Sequence, residues 1–106
     1  MNTKMQQKLQ LILSKEKYER ITFNKENDEE YITIDLHYLS CRDAERLVRN
    51  VIAVSDESFE LELIHGYIHG TALKQMLENY KISDRIIQRQ GVAYNLGMTK
   101  MKVRAA

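Results

Sequence analysis

The chain is poor in the residues that build cross-linked or metal-held scaffolds. Its only cysteine is Cys41, which excludes an internal disulfide and a cysteine pair for a metal and makes a reducing cytoplasm the default compartment. No apolar run approaches the ~18 residues of a membrane span. The N-terminal stretch MNTKMQQKLQLILSKEKYER lacks a basic start, a long apolar block and a small-residue cleavage site, so it does not read as a signal peptide. Histidine and glycine are scarce, at three and four in 106 residues. Two of each nevertheless fall within the run from His65 to Gly70, HGYIHG.

What is present suits one globular domain. The hydrophobic fraction of 43% can form a core and the charged fraction of 29% a soluble surface. Net charge is only +1 but unevenly spread. Residues 81–106 carry six basic side chains against one acidic, and residues 21–40 carry one basic against five acidic. The basic end suggests a polyanion partner, although solvated strand faces also carry lysine and arginine.

Residues 4–20 have the period of an amphipathic helix, with Met5, Leu9, Ile12 and Leu13 on one face. NKENDEE, residues 24–30, then reads as an acidic linker or loop. Tyr31–His37 alternates as a strand with Ile32, Ile34 and Leu36 inward and Asp35 and His37 together on the other face. Ser40 caps a helix whose buried stripe is Ala44, Leu47, Val48, Val51 and Ile52. Ser58–Ile64 alternates as a second strand, Thr71–Tyr80 follows as a helix with Leu73, Met76, Leu77 and Tyr80 on one face, and two further strands close the chain around AYNLG as a turn. The order predicts an N-terminal helix followed by a two-layer βαβαββ α/β sandwich with a mostly parallel sheet, one face helix-covered and the other more open. Residues 1–28 are then a helix and acidic linker, and 29–106 the main domain.

In such a sheet, ligands gather beyond the carboxyl ends of parallel strands. If the first two strands are neighbours, Asp35 and His37 converge with His65 and Gly66 at one edge. An aspartate can orient or activate a histidine, which titrates near neutrality, so these residues suit acid/base chemistry. They could also ligate a divalent metal, or simply cap a strand end. Gly66 and Gly70 permit a sharp turn and close backbone approach. The helix starting at Thr71 offers free N–H groups and positive partial charge, and Thr71 and Lys74 add a hydroxyl and a cation, which together suit a phosphate. An ordinary strand-to-helix turn capped by Thr71 reads equally well, because neither GxGxxG nor a P-loop is present. His65 and His69 have a zinc-like spacing, but the glycines beside them oppose a helix there. Cys41 reads as a structural cysteine.

IDLHYLSCRDAERLVRNVI followed by LELIHGYIHGTALKQML resembles the Smr (small MutS-related) domain family. The pattern there is a strand ending LDLHG, a helix, and a second strand ending HGxGxG before a helix. Ile34 to His37 match the first motif, and His65, Gly66 and Gly70 the second. NLGMTKMKV is similar to the closing Asn-x-Gly turn and last strand. The resemblance spans residues 31–103 and implies a two-layer sandwich that binds RNA or DNA, with endonuclease activity in several members and the ribosome as a further partner. It implicates Asp35, His37, His65 and Gly66. With a nucleic-acid ligand, the turn from Gly66 through Gly70 to Thr71 is expected to hold a phosphate, and Lys74 and Arg42 to neutralise backbone charge. Tyr38 and Ile68 stand where the family has glycine. Tyr38 is expected to fill the space glycine leaves, with stacking on an unpaired base as the alternative. A non-catalytic interaction module, with the N-terminal helix serving dimerisation or docking, is the competing expectation.

Overall fold

Alternating apolar residues build a sheet, and a 3.6-residue apolar period builds the helices that cover it. The computed structural model describes residues 2–66, 71–92 and 95–106. In order these form α1 (Asn2–Ile12), α2 (Lys15–Tyr18), β1 (Ile21–Glu26), β2 (Glu29–Asp35), α3 (Cys41–Val54), β3 (Phe59–Ile64), α4 (Thr71–Asn79), β4 (Ile86–Val92) and β5 (Asn95–Val103). The five-stranded sheet has the order β1-β2-β3-β5-β4.

The α/β class holds, but the mostly parallel sheet does not. Among the described residues only β2 and β3 pair parallel, across the α3 crossover, whereas β1–β2, β3–β5 and β4–β5 are antiparallel. The unit after β3 accounts for much of this. Two antiparallel pairings separate β4 from β3, so β4 runs in the direction of β3, as a strand-helix-strand reading expects. It lies one position away, and its hairpin partner β5 fills the gap.

The acidic segment is also not a linker. Residues 21–26 form an edge strand paired with β2 from Ile21↔Ile34 to Glu26↔Glu29. The turn residues Asn27 and Asp28 have φ of 53° and 64°, the double left-handed conformation that joins two-residue hairpins. The boundary expected after residue 28 therefore falls inside a hairpin. The N-terminal helix is split, because Ser14 caps a new turn by accepting the Lys17 N–H at 3.2 Å. Met5 and Leu9 are buried, while Ile12, expected beside them, is exposed.

One core lies between the sheet and the helices, with α3 packed between α1 and α4. The predicted stripe of α3 is wholly buried, as are Ile32, Ile34, Leu36, Phe59, Leu61 and Leu63. Full burial of each such side chain contributes about 1.5–3 kcal/mol. Leu73 and Leu77 anchor α4, whereas Tyr80 lies beyond the helix end and is exposed. On the other sheet face Tyr31, Thr33, Asp35, Glu60, Glu62 and Ile64 stay half-buried. No helix among the described residues is long and apolar enough to cross a membrane.

Candidate functional site

Because β2 and β3 are parallel neighbours, the segments that follow them emerge at the same sheet edge. Leu36 extends the ladder by donating to the Ile64 carbonyl at 2.7 Å and buries its side chain completely. Alternation then leaves Asp35 and His37 on the opposite side. Asp35 Oδ1 accepts from the His37 backbone N–H at 2.9 Å and lies 2.7 Å from His37 Nδ1. An ionised carboxylate can only accept, so Nδ1 carries a proton. Nε2, which has no hydrogen-bond partner among the described residues, is left as the reactive nitrogen. Both side chains are about half exposed, at 40% for His37 and 51% for Asp35. Partial burial alone would raise the Asp35 carboxyl. The hydrogen bonds from His37, aided by the charges of His37 and Arg20, outweigh that and hold it below its ordinary range.

Arg20 fixes this turn. Its Nη1 donates to the carbonyls of Asp35 at 3.0 Å and His37 at 2.9 Å, and its Nε donates to Glu16 at 2.7 Å. Its own carbonyl accepts the Asp35 N–H at 2.9 Å. No motif pointed to Arg20, since it ends the segment that reads as an N-terminal helix.

Gly66 supports His37 from the neighbouring strand end. Its φ of +82° disfavours any side chain. A Cβ there would also stand 2.9 Å from both Cδ2 and Nε2 of His37. The glycine leaves room for the histidine ring, and its N–H is engaged, donating to the Gly97 carbonyl at 3.1 Å, beside that of His65 at 2.9 Å.

His65 parts company with the dyad. It continues the inward set Phe59, Leu61 and Leu63 and is 2% exposed. Nδ1 lies 2.8 Å from the Gly66 carbonyl, so it must donate, and Nε2 lies 3.0 Å from the buried Thr99 hydroxyl. Both nitrogens are therefore engaged in tying β3 to β5, unlike those of an acid/base awaiting substrate. Thr99 and Gly97 were missed as partners because they lie more than 30 residues from His65.

Among the remaining candidates, Thr71 opens α4 with its side chain exposed, Lys74 follows half-buried on that helix, and Arg42 is exposed in the first turn of α3. Gly70 lies outside the described residues, as do Ile68 and His69. No group of three or more metal-ligating side chains comes together among the described residues.

The basic C-terminal end is largely structural. Arg85 donates to the carbonyls of Ile52, Ser55, Glu57 and Arg104 at 2.6–3.1 Å, and Arg89 to those of Leu77 and Tyr80 at the end of α4. Lys100 and Lys102 stand opposite Glu62 and Glu60 in the β3–β5 register.

Tyr38 does not fill the space a glycine would leave. It is 92% exposed and adopts φ +66°, the conformation glycine would favour. Its ring lies 5.9 Å from that of His37, tilted by 41°. Tyr38, His37, Asp35, Arg20, Thr22, Glu16 and Glu19 line an open groove of about 610 Å³. A larger groove of about 810 Å³ lies at the amino ends of β2 and β3 and contains no histidine, away from the edge where parallel strands present ligand sites. No family model matches this chain, and no curated protein or solved structure matches it either.

Proposed function

We propose that this chain is an Smr-like nucleic-acid-binding domain in which the Asp35–His37 pair supplies acid/base catalysis of phosphodiester cleavage. The observation that carries the reading is the 2.7 Å contact between Asp35 Oδ1 and His37 Nδ1, with Nε2 unpartnered among the described residues. Asp35 selects the tautomer and Arg20 holds the turn, so Nε2 is set to take a proton. RNA suits a single acid/base best, because its own 2′-hydroxyl can attack. Nε2 accepts the 2′-OH proton as O2′ attacks phosphorus, the P–O5′ bond breaks and O5′ takes a proton from solvent water, leaving a 2′,3′-cyclic phosphate and a 5′-hydroxyl, and the imidazolium then returns its proton to solvent. In this reading His65 is a positioning residue that holds Gly66 against His37, and Arg42, Thr71 and Lys74 contact the backbone.

A non-catalytic interaction module is the second reading, favoured by the engagement of Arg85 and Arg89 within the fold. In that reading the Met5–Leu9 face of α1 is already packed into the core, and docking or dimerisation through α1 would use the exposed Leu11 and Ile12. Labelled single-stranded RNA, duplex RNA and nicked DNA, incubated with wild type, His37→Ala and Asp35→Ala, separate the two. Cleavage by wild type that disappears in both variants supports the catalytic reading. Cleavage unchanged in either variant removes the dyad from it, and salt-sensitive binding without cleavage favours the module.

A further inference from the structure

We infer that the groove beside His37 receives an unpaired nucleobase stacked on Tyr38, so that the ligand of this site is a single strand and not a duplex. This rests on the nucleic-acid reading above and names its substrate class.

Tyr38 has no structural use among the described residues. Its side chain is 92% exposed, and its one ring contact among the described residues is with His37. It nevertheless occupies a left-handed backbone position, φ +66°, which disfavours a bulky side chain. A strained, exposed aromatic beside an acid/base candidate fits a residue kept for a ligand. Its flat face is open, and the tilted His37 ring at 5.9 Å gives the groove a second aromatic wall.

The charges in the groove decide which part of a nucleic acid enters. Its lining includes three carboxylates, on Glu16, Glu19 and Asp35, and one guanidinium, on Arg20. Arg20 is already turned to Glu16 and to two carbonyls. Lys17 and Lys15 are paired with Glu16 and Glu19, so among the described residues the lining offers no unpaired cation to hold a phosphate, whereas an uncharged planar base needs none; the scissile phosphate has only to reach His37 Nε2 at the rim. The backbone is left to Arg42 and Lys74, on the helices that follow β2 and β3. In a duplex both faces of each base are covered by neighbours, so only an unpaired base can stack on Tyr38.

The test is fluorescence anisotropy with a 2′-O-methyl RNA of about ten nucleotides, a typical single-strand site length, and with its duplex. The 2′-O-methyl group removes the attacking hydroxyl, so binding is read without cleavage. Wild type is expected to bind the single strand about 10-fold or more tightly than the duplex. Tyr38→Ala and Tyr38→Gly are expected to weaken single-strand binding by about 10-fold, with Tyr38→Phe within about 2-fold of wild type, as loss or retention of one stacked base requires. Equal binding of single strand and duplex, or unchanged binding by Tyr38→Ala, overturns the inference while leaving the acid/base reading intact. Failure of wild type to bind either form overturns both.

Discussion

Replacing Gly66 with alanine sets a methyl group against the imidazole of His37. The new Cβ would lie 2.9 Å from Cδ2 and Nε2, while carbon contacts are comfortable only from about 3.5 Å, so the ring must retreat by about half an ångström or more. His37 is half exposed and can swing outward, but only by stretching its 2.7 Å contact with Asp35. Loss of that exposed bond costs about 1 kcal/mol. Alanine at φ +82° costs a further ~1–2 kcal/mol, offset by about 0.4–1 kcal/mol from the stiffer unfolded chain. The net expectation is a destabilisation of about 1–2.5 kcal/mol, with cleavage reduced to the level of His37→Ala in a folded protein. Urea unfolding of wild type, Gly66→Ala, His37→Ala and the double variant isolates the ring's share. Gly66→Ala should cost about 1 kcal/mol less when His37 is absent. Additivity within about 0.3–0.5 kcal/mol would refute the claim that this glycine exists to seat the histidine.

Tyr38→Gly should raise the melting temperature by a few degrees. Relief of the left-handed strain, about 1–2 kcal/mol, exceeds the ~0.5–1 kcal/mol of added chain entropy, and little burial is lost; a lower melting temperature would show that the ring packs after all. Asp35→Asn tests the depressed carboxyl. A lowered folded pKa contributes stability above the unfolded value, here near 3.8, and loses it as pH falls through the folded one. Wild type should therefore be the more stable at pH 7, and the two proteins should converge as unfolding is followed below pH ~4; a constant gap across that range would contradict the assignment. Arg85→Ala should lower the urea midpoint by an amount equivalent to about 1–3 kcal/mol, because the carbonyls of Ile52 and Ser55 each lose a charged donor. An unchanged midpoint with weakened RNA binding would instead restore Arg85 to the nucleic-acid surface.

The elements with strong periodicity were legible from residue order. Ser40 as cap, the α3 stripe and the inward faces of β2 and β3 follow from spacing that the pairing and packing reproduce. The convergence of Asp35, His37 and Gly66 was legible as well, because one α3 crossover makes β2 and β3 neighbours. Strand β1 was not, since Asn27-Asp28 breaks a helix as readily as it turns a hairpin, and only pairing with β2 distinguishes the two. The position of β5 between β3 and β4 depends on which edge a hairpin folds back toward, and no local pattern records that.

The two histidines of the motifs make the same point. Their residue types and sheet edge are matters of sequence, but the roles the fold allows them are not. His37 meets a carboxylate two residues away and keeps a free nitrogen among the described residues, while His65, on the inward side of β3, meets Thr99 and the Gly66 carbonyl. Likewise the count of basic residues near the C-terminus is a sequence fact. That Arg85 and Arg89 face backbone carbonyls was decided by tertiary packing. Sequence by itself determined the periodic elements and the chemistry available at the strand ends. Only the tertiary structure decided which of those groups remain open to a ligand, because hydrogen-bond partners distant in the chain are chosen by how the layers close.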